Sequence, residues 1–240
     1  MIIKADMHIH TCLSPCAEVT ISPKRVVEQA YRSGLSIIFI TDHNSAENTE
    51  AAMKTANRYD SIRVYPGMEI TSREEVHSLA LFENAEDAVS MQNEIYRHLA
   101  EAFSEKEYGE QVVANEFDEV EGFCKKSLFS AVDLSIGEIV NLIHKYSGLA
   151  IAAHIDRQSF SVISQLGFIP DNLNYDALEV SPNLSTEQAR LNYPEYAGKF
   201  NFVKGSDSHW LNNIGTVFTE FEAKDNSFSS FASYIKRKIN

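Results

Sequence analysis

Histidines and carboxylates occur at the spacing of metal ligands in several short clusters of this 240-residue sequence. The first cluster is Asp6-Met7-His8-Ile9-His10. Residues two apart in an extended segment point to the same face, so His8 and His10 would present two imidazoles side by side, with Asp6 in the same row. Such a pair could bind one metal ion, and the alternative is two histidines placed by chance in the core or on the surface.

Two further clusters end apolar segments in the first third of the chain. Thr41-Asp42-His43-Asn44 directly follows one of them, where Asp42 or Asn44 could also serve as a helix N-cap. Glu69 ends the next segment, and a carboxylate buried there must be paired or must bind a cation. A salt bridge to a nearby arginine is the structural alternative for Glu69.

The same pattern continues later in the sequence. His77 lies early in an apolar segment and, taken alone, is interpreted as a core histidine. His154 ends another apolar segment, and Arg157 follows three residues later. Gly205-Ser206-Asp207-Ser208-His209 carries a carboxylate and an imidazole two residues apart, although Gly, Ser and Asp also favour a simple turn.

Each cluster taken singly has a structural explanation that needs no metal. Together, however, the clusters place six of the eight histidines at strand ends. His98 and His144, both in helical stretches, are the exceptions. The eight candidate metal ligands are His8, His10, His43, Glu69, His77, His154, Asp207 and His209. Imidazole and carboxylate ligands suit Zn²⁺, Mn²⁺ or Fe²⁺. Eight ligands exceed what one catalytic ion uses, so the sequence predicts two or three ions.

Apolar segments of strand length alternate with amphipathic helical segments along the chain. The predicted strands are Ile2–Ile9, Ile37–Thr41, Arg63–Thr71, Val76–Phe82, Leu149–Ile155, Ala177–Ser181, Phe200–Gly205 and Thr216–Phe221. One helix should begin at Ser22-Pro23, and another at the capping box of Ser135 and Glu138. This alternation predicts an α/β protein with a mostly parallel sheet, a β/α barrel as first choice and a doubly wound sheet as second. In both folds the functional residues lie at the carboxyl ends of strands.

A single domain is predicted over residues 1–240, with an insertion at about residues 84–133. Within it, Tyr108–Asp133 has mixed polarity and indicates a hairpin or an irregular segment. The aromatic side chains of the whole predicted insertion are interpreted as the small core of that insertion. The alternative is that some of them form a surface that stacks on a nucleobase. They are Tyr96, Phe103, Tyr108, Phe117 and Phe123.

The composition is that of an ordinary globular chain, with 44% hydrophobic and 23% charged residues. A net charge of −13 argues against long nucleic acid as a partner. No apolar run is long enough for a membrane span, and the N-terminus lacks the features of a signal peptide. Three cysteines are too few for a disulfide scaffold. We therefore expect a cytoplasmic protein with reduced thiols, and the sequence does not indicate an oligomeric state.

The order of the clusters (DxHxH, TDH, GxE, two single histidines, then SDSH) resembles the PHP (polymerase and histidinol phosphatase) domain family. The resemblance spans about residues 6–209. It implies a distorted β/α barrel of seven strands with two or three metal ions. Within the family, the sequence most resembles the stand-alone phosphoesterases that act on small phosphomonoesters, nucleotides among them.

The resemblance also implies a role for each candidate ligand. The first ion would be held by His8, His10, Glu69 and Asp207, the second by Glu69, His77 and His154, and the third by His43 and His209. Asp42 would orient its neighbours, and Arg157 corresponds to the phosphate-contacting arginine of the family.

The sequence departs from the family pattern at one place. Many members carry an Asp or His ligand of the third ion shortly after the first two histidines, and here that place reads Ser14-Pro15-Cys16-Ala17-Glu18. Pro15 cannot ligate through its side chain. Cys16 could substitute and would favour zinc, or Glu18 could substitute and keep the site rich in oxygen. Otherwise the third ion is weak or missing.

The expected function is that of a metal-dependent phosphoesterase. It would hydrolyse a small phosphomonoester such as a nucleotide, a nucleoside bisphosphate or histidinol phosphate, through a hydroxide that bridges two metals. Asp207, His209 or a metal-bound water would protonate the leaving alkoxide. The alternatives are a 3′–5′ exonuclease on short oligonucleotides, an amidohydrolase, and a non-catalytic metal-binding module.

Overall fold

The computed structural model describes residues 1–101 and 109–237 of the chain. Its strands are β1 (Ile2–Ile9), β2 (Ile37–Ile40), β3 (Arg63–Thr71), β4 (His77–Leu81), β5 (Val112–Ala114), β6 (Val120–Phe123), β7 (Leu149–Ala152), β8 (Ala177–Val180), β9 (Asn201–Lys204) and β10 (Thr219–Glu222). One sheet has the order β10-β1-β2-β3-β4-β7-β8-β9, and β5 pairs with β6. The predicted α/β barrel class is confirmed, and the sheet contains the eight strands that the sequence pattern predicted, where the family resemblance implied seven.

The large sheet is nearly closed because two segments share one edge of β1. The first half of β1, Ile2–Ala5, pairs with β10 in the antiparallel sense. Beyond it, the segment after β9 takes over. The His10 N–H donates to the Ser208 carbonyl at 3.0 Å, and the Ser208 N–H donates to the His8 carbonyl at 3.3 Å. Relative to a seven-stranded barrel, the additional strand is β10. It pairs with the first half of β1, and the segment after β9 pairs with the end of β1.

The sheet is mostly parallel, as expected, but strand β4 runs antiparallel to both of its neighbours. A tight turn joins it to β3, in which the Ser72 N–H donates to the Val76 carbonyl at 2.9 Å and Glu75 has a positive φ of 60°. In this register His77 lies opposite Thr71. The start of β4 therefore lies at the same edge of the sheet as the carboxyl ends of the parallel strands.

The helices alternate with the strands as predicted. They are α1 (Pro23–Arg32), α2 (Thr49–Ala56), α3 (Ala85–Arg97), α4 (Ile136–Lys145), α5 (Val162–Leu166), α6 (Thr186–Asn192), α7 (Pro194–Ala197) and α8 (Phe228–Ile235). Ser22 caps α1, and the capping box of Ser135 and Glu138 begins α4, both as expected. Helix α6 was not predicted, although Ser185 and Gln188 form a second capping box at its start. No helix in the described ranges has the length and apolar character that crossing a membrane requires.

The segment predicted as an insertion contains α3 and the β5–β6 hairpin. Asn48 ties the hairpin to the barrel, because its side chain donates to the Val112 carbonyl and accepts from the Ala114 N–H, both at 3.0 Å. The Tyr96 hydroxyl donates to Glu47 at 2.7 Å, so this side chain belongs to a hydrogen-bond network. Of the other aromatic residues of this segment, Phe117 and Phe123 are exposed, and Phe103 and Tyr108 lie outside the described residues.

The C-terminal helix α8 packs against apolar side chains of the barrel strands. The ring of Phe231 lies 4.9 Å from that of Phe39 in β2, within a buried cluster that also contains Leu79 and Val203. Asn201 of β9 caps the end of this helix. Its side-chain amide donates to the carbonyls of Tyr234, Ile235 and Arg237 at 2.8, 3.2 and 3.0 Å. The apolar cluster and the cap together hold the end of the described chain on the sheet.

Replacing Asn201 with Leu should lower the free energy of unfolding by ~1–3 kcal/mol, because the helix carbonyls lose their donors in a buried place. The exposed Asn212→Leu is the matched control and should change it by less than ~0.5 kcal/mol. Urea unfolding followed by circular dichroism measures both variants. Equal stability of the two would contradict the capping role.

Candidate metal centre

The eight predicted ligands converge at one edge of the barrel. Three sets have ligand atoms within 4.8 Å of one another: His8, His10, Glu69 and Asp207; His43, Glu69 and His77; and His10, His43 and His209. His154 joins them through a contact of 3.1 Å between its Nε2 and Oε1 of Glu69. The structure therefore brings all eight together. His98 and His144 pair with carboxylates elsewhere.

The carboxylate of Glu69, only 1% exposed, is the centre of the cluster. Five imidazole nitrogens lie around its two oxygens. Oε1 faces Nδ1 of His77 at 2.7 Å, Nε2 of His154 at 3.1 Å and Nε2 of His8 at 3.3 Å, and Oε2 faces Nδ1 of His43 at 3.2 Å and Nε2 of His10 at 3.3 Å. Burial raises the pKa of Glu69, but the facing imidazoles more than offset this and hold that pKa well below its ordinary value. Glu69 is therefore an ionised carboxylate.

A sharp turn directly after β2 brings His43 to Glu69. The Glu69 N–H donates to the Asp42 carbonyl at 3.1 Å, and the Asn44 N–H donates to the Glu69 carbonyl at 2.9 Å. Asn44 has a positive φ of 52°, a conformation that Asn adopts more readily than most residues. The turn sets His43 beside the end of β3, where it can share Glu69 with His77.

Asp207 is the second carboxylate of the first set. Its Oδ1 lies 3.3 Å from Nε2 of His8 and 3.2 Å from Nε2 of His10, and its Oδ2 lies 2.5 Å from Nη2 of Arg157. Burial raises the pKa of Asp207, but the charges of the two imidazoles outweigh burial and keep that pKa well below its ordinary value. Two ionised carboxylates therefore face the first two histidines.

Those two histidines each have one nitrogen in a hydrogen bond and one without. His8 Nδ1 bonds the Glu179 carboxylate at 3.0 Å, and His10 Nδ1 bonds the Ser14 hydroxyl at 3.0 Å. Among the described residues, neither Nε2 atom has a hydrogen-bond partner, although both are buried. Each Nε2 atom has only ionic contacts at 3.2–3.3 Å with Glu69 and Asp207, and a buried polar atom without a hydrogen bond is costly. An imidazole oriented through its other nitrogen is typical of metal-ligating histidines, so these residues fit a divalent cation.

The protonation states of His43, His209 and His10 also fit a metal site. Burial lowers the pKa of His43 well below its ordinary value and that of His209 to about 4, so both are neutral at pH 7 and keep a lone pair for a metal. Burial also lowers the pKa of His10, but Asp207 and Glu69 outweigh it and raise this pKa to about 9. The centre of the cluster therefore attracts positive charge strongly.

Two buried carboxylates, Asp42 and Asp6, hold the segments that carry the ligands through hydrogen bonds. Asp42 accepts from the Ser14 hydroxyl at 2.6 Å, and Ser14 in turn bonds His10. Asp6, expected in the same row as the first histidines, instead accepts from the Ser206 N–H at 2.9 Å and fixes the segment after β9. Burial raises the pKa of Asp6 to about 6.

Sequence reasoning missed one residue of the site, Glu179. It lies in β8, is 1% exposed, and its carboxylate bonds His8 Nδ1 and accepts from the His154 N–H at 3.1 Å. A Cβ on Gly205 would lie 2.7 Å from Oε1 of Glu179, so only glycine lets the end of β9 approach this closely. The signal was present in the sequence, because Glu179 is a carboxylate inside an apolar strand, as Glu69 is.

The segment with the unusual sequence after the first histidines also reaches the cluster. Cys16 Sγ lies 3.1 Å from Nε2 of His209. Glu18 approaches the same place only through its backbone, whose N–H donates to the His209 carbonyl at 3.0 Å. Of the two candidate substitutes for the missing ligand, Cys16 is therefore the one whose side chain lies beside the third set.

Comparison with known proteins gives a family and a fold. The PHP domain family matches residues 6–166, and a PHP-associated family matches residues 195–238. A search of curated proteins found no match. Among solved structures, endonuclease Q from Pyrococcus furiosus has a TM-score of 0.75 at 17% identity over 98% of this chain and 56% of its own, so this chain spans little more than half of that enzyme.

Two other solved structures match along most of their own length. A proposed metal-dependent phosphoesterase from Bifidobacterium adolescentis has a TM-score of 0.65 at 18% identity and covers 98% of this chain and 96% of its own. An amidohydrolase from Chromobacterium violaceum has a TM-score of 0.61 at 16% identity and covers 93% of each chain. At such identities these likenesses show the fold alone.

Replacing Glu179 with Gln should weaken the binding of Mn²⁺ or Zn²⁺ about 10–100-fold, because His8 loses the carboxylate that fixes its ring. The exposed Glu187→Gln is the matched control and should leave the affinity unchanged. Isothermal titration calorimetry on the metal-stripped proteins measures both. If the two variants bind metal equally well, Glu179 has no part in orienting the centre.

Cys16 should react with a thiol reagent much faster than Cys12 and Cys124, because it is exposed and the other two are buried. Zn²⁺ should slow this reaction, since Sγ faces His209. Alkylation followed by peptide mass spectrometry, with and without Zn²⁺, gives the rate at each thiol. A Cys16 rate that Zn²⁺ leaves unchanged would place this thiol outside the metal centre.

Proposed function

The chain belongs to the PHP domain family, and from that premise we propose that it is a metal-dependent phosphoesterase that hydrolyses a small phosphomonoester. One observation carries the proposal. The buried Nε2 atoms of His8 and His10, which lack hydrogen-bond partners in the described part of the chain, face two ionised carboxylates. A mixed imidazole and carboxylate donor set binds divalent cations such as Zn²⁺, Mn²⁺ or Fe²⁺.

We assign the ligands by the three sets that the side chains form. His8, His10, Glu69 and Asp207 would hold the first ion, and Glu69, His77 and His154 the second. His43 and His209 would hold a third, because the neutral His43 ring has one lone pair and serves one ion. His10 also lies near the third set, but its Nδ1 bonds Ser14, so one nitrogen remains for one ion. The third ion should therefore bind more weakly than the first.

Bound divalent ions would supply an activated water and positive charge for the phosphoryl oxygens. Arg157 reaches the same place from the loop after β7, with its guanidinium held by Asp207 at 2.5 Å and its side chain 42% exposed. Its remaining N–H groups would donate to a phosphoryl oxygen. Because the whole chain carries a net charge of −13, a phosphate dianion needs this local positive charge to enter.

The leaving alkoxide needs a proton, for which Asp207, His209 and a metal-bound water are the predicted donors. The low pKa of Asp207 keeps it ionised, which favours a ligand role over an acid role. The His209 Nδ1–H donates to the Asp207 carbonyl at 2.9 Å, and its Nε2 faces Cys16. We infer that both residues bind metal and that water in the site delivers the proton.

A phosphodiester is the second candidate substrate. Endonuclease Q, whose fold this chain shares, has been crystallised with a 27-mer duplex that carries an abasic lesion at the active site. The net charge of −13 opposes tight binding of a long duplex, because each phosphate contact needs a cationic partner. We therefore favour the small phosphomonoester.

Phosphate release from a panel of phosphomonoesters tests the proposal. Metal-stripped protein receives Mn²⁺, Zn²⁺ or Fe²⁺ in turn, and we expect release that depends on the added metal. Glu69→Gln should lower the rate at least ~100-fold, because it removes the charge that the ions share. The exposed Glu187→Gln should keep the native rate.

The panel also contains a DNA duplex with an abasic site and an acyl amide. Strand cleavage without release of phosphate from monoesters would make the protein a diesterase, and amide hydrolysis alone would make it an amidohydrolase. Metal-loaded protein that turns over none of these compounds would contradict an enzymatic role and leave a metal-binding module.

A further inference from the structure

One loop after β7 carries three side chains of different chemistry to the metal centre. His154 contacts Glu69, Arg157 contacts Asp207, and Phe160 follows three residues later. The loop is held at several points, since the Arg157 N–H donates to the His154 carbonyl at 2.9 Å and the Ser161 hydroxyl donates to the Arg157 carbonyl at 2.8 Å. The proposed phosphate ligand and an aromatic ring are thus fixed relative to each other.

Phe160 lies directly against a ligand histidine. Its ring stacks on the imidazole of His77 with the centroids 4.6 Å apart and the planes 20° apart. Its carbonyl accepts from the His77 N–H at 2.9 Å. The side chain is nevertheless 38% exposed, so an apolar ring remains open to solvent beside the metal centre.

The backbone of Phe160 is strained. Its φ is +59°, a left-handed conformation that is a genuine outlier for a bulky aromatic residue and that glycine would adopt freely. His154, in the same loop, also has a positive φ, of 28°. Strain that the surrounding hydrogen bonds maintain at a site is a sign of function.

A second exposed aromatic residue borders the cluster on another side. Trp210, 55% exposed, directly follows His209, and the two rings lie 6.0 Å apart. It is the one tryptophan of the sequence. The metal centre therefore has exposed rings next to His77 and next to His209, with Arg157 as the cationic group beside Asp207.

We propose that Phe160 is the platform on which a planar ring of the substrate's alcohol part stacks while the phosphate binds at Arg157 and the metals. The preferred substrates would then be phosphoesters of ring-bearing alcohols, either nucleosides or simple aryl alcohols. Stacking on an aromatic side chain tolerates any base, because every base has a π-face. This inference rests on the proposed phosphoesterase function.

The test compares kcat/KM for adenosine 5′-monophosphate, phenyl phosphate and glycerol phosphate in the metal-loaded native protein, Phe160→Leu and Phe168→Leu. Phe168, which is exposed and lies two residues beyond the end of α5, is the matched control. The native protein should prefer the ring-bearing esters over glycerol phosphate. Phe160→Leu should lower that preference about 10-fold or more, the size expected for loss of one stacking contact, and Phe168→Leu should leave it unchanged. The first two substrates distinguish a nucleoside from a simple aryl group.

A second measurement does not depend on turnover. Adenosine and ribose, which carry no phosphate, are titrated into the metal-loaded proteins while the fluorescence of Trp210 is recorded. Adenosine should change the fluorescence and ribose should not. Phe160→Leu should raise the Kd for adenosine about 10-fold.

The outcomes separate this inference from the proposed function. Phosphate release with equal preference for ring-bearing and ring-free esters in the native protein would overturn the platform and leave the phosphoesterase standing. No phosphate release from any ester would overturn the phosphoesterase. Adenosine binding that is lost in Phe160→Leu would still support the platform in that case, and binding that is equal in the two proteins would overturn it.

Discussion

The structure depends on one buried carboxylate that must be neutralised. Glu69 is ionised and almost fully buried, and an isolated charge in such a place would cost more free energy than a small domain can supply. Five imidazoles surround it, and they come from β1 and the residue directly after it, the turn after β2, β4 and the loop after β7. Each of these segments must therefore end at the same edge of the sheet. The antiparallel turn into β4 meets this requirement by bringing the start of that strand, and His77 with it, to the edge where the parallel strands end.

The same requirement explains where the chain is irregular. Positive φ values at non-glycine residues include Asn44, His154, Phe160 and Asp207, all in loops of the metal centre. Around them lie buried carboxylates that accept hydrogen bonds instead of facing the ligands directly, as Asp42 and Asp6 do. Local strain and orienting hydrogen bonds thus accompany the site.

Most of the site could be predicted from the sequence because ligand spacing and strand periodicity are local properties. His8 and His10, two apart in a strand, and Glu69 in an apolar segment could be recognised without knowing the fold. His77 could be predicted as a ligand only from the whole set of clusters, because taken alone it resembled a core histidine, and its position at this edge depends on the direction of β4. That direction follows from a turn between β3 and β4, which hydrophobic patterning does not encode. Glu179 carried the same signal as Glu69, but without the strand order its neighbour His8 could not be known.

We propose that Nε2 of His8 and Nε2 of His10, which lack hydrogen bonds in the described part of the chain, bind a divalent cation together with Glu69 and Asp207. Anomalous diffraction from crystals grown with Mn²⁺ locates such an ion. We expect a strong anomalous peak among these four side chains, with both Nε2 atoms as ligands. Metal bound elsewhere, or no peak while the imidazoles form hydrogen bonds to the two carboxylates, would contradict it.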